Sequence, residues 1–233
     1  MLRVTTDIKP NKSGATNGNQ SIRTKGFGSW AGLHGNLPRD GVRPQVKSAT
    51  RSPTREQLLA AADRTVPDLI HHDLEVLFCG INPGLYSAWA GHHFARPGNR
   101  FWPALYASGF TPRLLRPEQE HELLQLGYGI TNLVDRATVG SQELSREELR
   151  AGGRRFEKKV KTYHCRAVAI LGVTAYRYAF DCPNATVGEQ TQRLCGALVW
   201  VLPNPSGLNA HFTPSALAKV FREFRLNAAR TGH

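Results

Sequence analysis

The run Leu74-Glu-Val-Leu-Phe-Cys79 stops at Gly80 and passes straight into Ile81-Asn-Pro-Gly84. A short, mostly apolar run ended by a glycine reads as a strand buried on both faces of a parallel sheet, although a buried helical turn shares the pattern. Gly80, Pro83 and Gly84 force a tight turn just past the strand's carboxyl end, where ligands dock in open α/β sheets. The turn holds one polar side chain, Asn82, between Ile81 and a rigid proline.

Three further strand-like runs follow, Ile130 to Val134, Ala167 to Leu171 and Leu198 to Leu202. Helical signals stand around them. Thr54-Arg-Glu-Gln57 and Ser145-Arg-Glu-Glu148 are capping boxes. The second opens a helix with Leu149, Phe156, Val160 and Tyr163 on one face. Further helices are expected over Phe101 to Gly109, Pro117 to Leu126, Tyr176 to Phe180, and after Thr213-Pro214, where Leu217, Val220, Phe221 and Phe224 form a stripe. Tyr86 to Asn99 reads as a long, ordered polar and aromatic loop. Strands alternating with helices predict a three-layer α/β fold, its central and mostly parallel sheet of about four strands flanked by helices. Two strands end in loops of similar chemistry, Gly-Ile-Asn-Pro-Gly and Pro-Asn-Pro-Ser-Gly, and both should open at one sheet edge.

The formal net charge is +12, of which residues 1–55 carry +8, leaving +4 for the rest. Such a balance suits a polyanionic partner, because neutralised phosphates release counterions; solubility is the plainer alternative. Residues 1–50 are too poor in periodic apolar positions to bury a core and are read as a disordered basic tail, with one α/β domain over 51–233. The tail is either a basic arm or an extended start. No apolar run is long enough to span a bilayer, and no secretory leader is visible, so the expected location is cytoplasmic, at the nucleoid. Cys79, Cys165, Cys182 and Cys195 include no Cys-x-x-Cys pair, which speaks against a disulfide framework or a metal cluster. His71-His72 and His92-His93 lack a third ligand at suitable spacing. The basic residues from Arg150 to Lys161 are read as a solvated helix face that could also track phosphates.

Each loop alone is common turn chemistry. Gly-x-Asn-Pro-Gly lacks dinucleotide spacing, and its proline removes an N–H that phosphate would use. Together, however, Phe-Cys-Gly-Ile-Asn-Pro-Gly-Leu, Pro-Gly-Asn-Arg-Phe-Trp, Thr-Asn-Leu-Val-Asp-Arg-Ala-Thr-Val, Ala-Ile-Leu-Gly and Trp-Val-Leu-Pro-Asn-Pro-Ser-Gly-Leu stand in one order along the chain. In these motifs the chain resembles the bacterial mismatch-specific uracil-DNA glycosylases, the family that includes the thymine-DNA glycosylases, from about Leu74 through the last helix.

The resemblance implies hydrolysis of the N-glycosidic bond of uracil, preferably opposite guanine, by a monomer acting on duplex DNA that carries a mismatched or damaged base, with no cofactor and no membrane partner. Asn82 matches the position that holds the attacking water, and Phe94 the aromatic that stacks on the extruded base. Backbone groups near Ile81 and Phe94 would read the uracil edge. Ser206, Gly207, Leu208 and Asn209 match the loop that enters the helix, with Leu208 as wedge and Gly207 and Asn209 at the widowed guanine. The residue types suit the physics. A base inside a duplex must be flipped out, a mismatch lowers that cost, and an apolar wedge and an aromatic face offset it.

Since an amide orients water without deprotonating it, Asp135 is a candidate helper in catalysis, the other reading being an ion pair or loop cap with Arg136. Ser87 could sit beside the base's 5-position, Asn132 could line the pocket, and Asn204 should chiefly brace its own loop. Two departures from the family pattern stand out: the longer link Asn209-Ala-His-Phe212, and Ala137 where a proline is common. Neither loop holds a lysine for a Schiff base, so the expected enzyme is monofunctional. The rivals are the same fold acting on hypoxanthine, ethenocytosine or thymine, and a nucleic-acid-binding protein without catalysis.

Overall fold

Four of the apolar runs become parallel strands because their residues find cover on both faces. The computed structural model describes residues 52–209 and 211–230; the tail expected over 1–50 lies outside them. In chain order the elements are α1 (Arg55–Leu59), β1 (Val76–Gly80), α2 (Leu85–Ala90), α3 (Phe101–Ser108), α4 (Glu122–Gln125), β2 (Tyr128–Asn132), α5 (Arg146–Tyr163), β3 (Ala167–Leu171), α6 (Val173–Ala179), β4 (Gly188–Glu189), β5 (Leu198–Leu202) and α7 (Pro214–Arg230). The sheet order is β2-β1-β3-β5-β4, with β4 alone antiparallel. β1, β3 and β5 are buried at every residue, which explains why they read as unbroken apolar runs rather than alternating ones.

Alternate strand residues serve opposite layers. Phe78, Ala169 and Trp200 face α3 and α7 through Phe101, Leu105, Phe221 and Phe224. Leu77, Val168 and Val199 face α5 and α6 through Leu149, Phe156, Val160 and Tyr176. Both capping boxes form as read, from Thr54 and from Ser145. No helix among the described residues is long and apolar enough to cross a membrane.

The expected sheet of about four strands is present and carries a short fifth, β4, two residues long and with no apolar signal of its own. Three expectations need correction. β2 spans Tyr128–Asn132 rather than Ile130 to Val134. Residues 86–99 are not all loop, since α2 occupies their first part and ends at Gly91 in the left-handed conformation (φ 74°) that glycine adopts without strain. Residues 117–126 are not one helix but a 3-10 turn over Pro117–Gln119 followed by α4. Glu120, between the two, turns inward and is buried.

The register pairs Gly80 with Asn132, and Leu171 with Leu202. All four parallel strands therefore end at one edge. β1 leads on to β2 on one side and lies beside β3 on the other, so the chain reverses its direction of travel across the sheet between β1 and β3. Open α/β sheets bind ligands at such a switch point.

Candidate active site

The loop after β1 is tied down by the segment that follows β2. Leu133 N–H donates to the Gly80 carbonyl (3.0 Å), Val134 N–H to that of Ile81 (2.9 Å), and Thr138 N–H to that of Pro83 (3.2 Å). Asn82 Nδ2 donates to the Pro83 and Arg136 carbonyls, each at 3.1 Å, and to Thr138 Oγ1 at 2.7 Å. Two of these partners are carbonyls and can only accept, so the amide orientation is fixed. Its Oδ1 has no donor among the described residues and is left as an acceptor on the cavity wall. The Ile81 carbonyl accepts from Val134 N–H, while the Ile81 N–H has no partner among the described residues and can read a ligand.

Phe94 forms an aromatic platform with one covered face. Its ring stacks on Phe101 with centroids 4.1 Å apart and planes at 26°, so the other face is available to the cavity it lines. Its backbone sits at φ 52°, a conformation that costs a bulky residue on the order of 1–3 kcal/mol and persists only where the surroundings impose it. They do so here from several sides. The buried Glu120 carboxylate accepts from the His93 N–H (2.8 Å) and meets His92 Nδ1 (2.9 Å). Trp102 Nε1 donates to the His93 carbonyl (3.2 Å), and Ala95 N–H donates to Ser87 Oγ (3.1 Å). His93 Nε2 lies 2.9 Å from the Pro67 carbonyl, so that nitrogen carries the proton. Burial lowers the His93 pKa from its usual value. The paired histidines at 92 and 93 thus brace a loop.

Asn132 ends β2 beside Gly80. It is only 6% exposed, yet its side-chain amide has no hydrogen-bond partner among the described residues, and it lines the cavity. Its amide is therefore open to the cavity, with donor and acceptor both available to a ligand. A β-carbon on Gly80 would collide with Asn132 Oδ1 and approach the Phe94 ring to 3.3 Å. The glycine that stops β1 therefore makes the space between the amide and the aromatic face.

The loop after β5 closes the other side. Arg100 is its anchor: Nη2 donates to the Ser206 (2.6 Å) and Asn209 (2.8 Å) carbonyls, and Nη1 donates to that of Phe212. Arg100 N–H also donates to the Pro205 carbonyl at 2.9 Å. A β-carbon at Gly207 would lie 2.5 Å from the Gly98 carbonyl oxygen, so only glycine lets the two loops approach this closely. Asn204 Oδ1 accepts from Ser206 N–H (3.0 Å), bracing its own loop. Asn209 spends its amide inside the loop, donating to the Asn204 carbonyl (3.0 Å) and accepting from His211 N–H (3.2 Å). Leu208 projects from this scaffold, 76% exposed.

These parts enclose a cavity of about 400 Å³. Ile81, Asn82, Ser87, Phe94, Asn132, Asn204, Ser206, Leu208 and Asn209 line it, and Gly207 sits at its edge against Gly98. Asp135 is not brought in. Its half-exposed carboxylate faces α5, with oxygens 3.9 Å from Arg155 Nε and from Lys159 Nζ. The partner expected for it, Arg136, instead binds Glu148 at 2.7 Å and holds that carboxyl well down, at about 2. Sequence reading gave no role to Thr138 or Arg100, and read Glu120 only as a charge suiting the amino end of the helix expected from Pro117. Thr138 and Arg100 stand within the quoted motifs, but nothing in a linear string shows which carbonyl or amide they reach.

Fold and site together define a three-layer α/β protein with a cavity at its sheet switch point, walled by amides and an aromatic face and, among the described residues, lined by no carboxylate. Residues 67–225 match the family model of the uracil DNA glycosylase superfamily. The chain belongs to that superfamily and is a DNA glycosylase, a hydrolase of N-glycosyl bonds. It is also similar to a protein from Methanosarcina acetivorans, solved by solution NMR and named as a candidate uracil DNA glycosylase, at 20% identity and a TM-score of 0.47, over 70% of this chain and 98% of that one.

Proposed function

We propose that the protein is a monofunctional glycosylase of the mismatch-specific type, releasing uracil from duplex DNA with preference for uracil opposite guanine. The observation that carries this reading is Asn132, an amide with no protein partner among the described residues that opens to the cavity beside the free face of Phe94. A side-chain amide matches the lactam edge of uracil, donating to O4 and accepting from N3–H, while Phe94 stacks on the ring. As the glycosidic bond breaks, positive charge grows on the sugar and negative charge on the departing base. The Asn132 N–H group stabilises the base, as fixed donors do at developing anions. Asn82 Oδ1 accepts a hydrogen from water and holds its oxygen toward the sugar cation; bond formation then sheds the water's second proton to solvent. Among the described residues no carboxylate lines the cavity to act as base, and no lysine lines it to form a Schiff base. The chemistry is therefore slow and purely hydrolytic, and Asp135 has no part in it.

Leu208 fills the gap left by the extruded base. With the Asn209 amide occupied, recognition of the opposite guanine falls to the backbone carbonyls at Gly207 and Leu208, which suit the N–H donors of guanine and not the acceptor of adenine. We read residues 51–233 as one glycosylase domain, acting as a monomer on DNA in the cytoplasm.

The same lactam pattern occurs in hypoxanthine, so Asn132 also supports activity on that base. Incubation with duplexes carrying G·U, A·U, G·T or hypoxanthine, and with single-stranded uracil, separates the readings. G·U is expected to be cleaved fastest, with Asn82→Ala slowed about 100-fold or more. Faster release of hypoxanthine would shift the substrate class, and cleavage of none by wild type would leave a binding protein.

A further inference from the structure

The two most exposed large apolar side chains among the described residues are Leu208 and Val139, at 76% and 65%, and both line the same cavity. Scattered exposed apolar residues are ordinary, but two on one rim call for a shared cause. The wedge role accounts for Leu208 and leaves Val139 unexplained.

Val139 is held on both sides rather than carried on a loose tip. Thr138 before it is 2% exposed, bridges to Gly84, and gives its hydroxyl proton to the Gly140 carbonyl at 2.9 Å. That carbonyl also accepts from Glu143 N–H at 3.1 Å. The side chain is thus fixed in water, at a cost that a ligand would relieve.

Its place along the cavity identifies the part of the ligand. Phe94 and Asn132 mark the base end, and Asn82 marks the reacting carbon. Val139 follows the threonine whose hydroxyl accepts from Asn82, so it is next in the chain to the group that holds the residue marking the reacting carbon. We infer that Val139 packs against the deoxyribose of the flipped nucleotide, a second apolar contact beside the Leu208 wedge. This rests on the glycosylase reading and adds a residue that registers the sugar against the bound water. The C–H face of the sugar ring supplies the apolar surface, and no carboxylate among the described lining residues opposes the flanking phosphates.

The test is equilibrium binding to a duplex carrying a tetrahydrofuran abasic-site analogue opposite guanine, across a range of salt. Val139→Ser is expected to bind this duplex about three- to tenfold more weakly than wild type. Its melting temperature and matched-duplex affinity should be unchanged, as should its salt slope, since no phosphate contact is lost. Val139→Ile should bind at least as tightly as wild type. An abasic-duplex affinity for Val139→Ser within about twofold of wild type, or an equal loss on matched duplex, would overturn the inference. Uracil release in the same preparations separates the two claims. Wild type that releases none ends the glycosylase reading, whereas a Val139→Ser variant that releases uracil and binds as wild type ends only this one.

Discussion

Thr138 Oγ1 lies 2.7 Å from Asn82 Nδ2 and hands its own proton to the Gly140 carbonyl at 2.9 Å. That relay, with the Pro83 and Arg136 carbonyls, leaves the Asn82 side chain one free polar atom, Oδ1. Thr138→Val removes the relay at nearly constant volume. The single-turnover rate of uracil release should fall about tenfold, the worth of one buried hydrogen bond. Affinity for abasic duplex should hold, and Thr138→Ser should recover most of the rate.

Arg100 gathers three carbonyls of the wedge loop with one planar fork. Lysine cannot reproduce that geometry, so Arg100→Lys should loosen the loop. Affinity for abasic duplex is expected to drop about tenfold, with the melting temperature lowered by about 2–4 °C per kcal/mol lost. Titration and thermal unfolding of the same sample measure both.

Asp135 faces Arg155 and Lys159 rather than the cavity. Exposed ion pairs contribute little. Asp135→Ala should release uracil within about twofold of the wild-type rate under single-turnover conditions. A loss near that of Asn82→Ala would restore Asp135 to the chemistry.

Burial lowers the His93 pKa below its usual 6.5. Between that lowered value and 6.5 the unfolded chain binds more protons than the folded one. The contribution is therefore complete above pH 6.5 and is lost as pH falls through the folded value. The melting temperature should decline on acidification from pH 7. The decline should be shallower in His93→Gln, whose amide can still donate to the Pro67 carbonyl but does not titrate.

β1, β3 and β5 were legible because burial on both faces leaves an unbroken apolar run, and the helix starts because Thr54 and Ser145 carry complete capping boxes; β2, with Gly129, Thr131 and Asn132 in it, lies two residues before the apolar run that pointed to it. β4 was not legible, since Gly188–Glu189 pairs through backbone alone. Glu120 looked like a helix-terminal charge, but its role under the Phe94 loop depends on a contact 27 residues away. Asn82 and Leu208 stand on loops whose prolines and glycines advertise them. The direction of Asp135 is set by cations on α5, which no motif around it records.

The central claim is that Asn82 supplies chemistry and Leu208 supplies access within one cavity. The most direct measurement is the single-turnover rate of uracil release from a G·U duplex at saturating enzyme, with abasic-duplex affinity taken alongside. Asn82→Ala should lose the rate by about 100-fold or more and keep the affinity, whereas Leu208→Ala should lose affinity about tenfold and retain most of the saturated rate. Equal rates for Asn82→Ala and wild type would contradict the account.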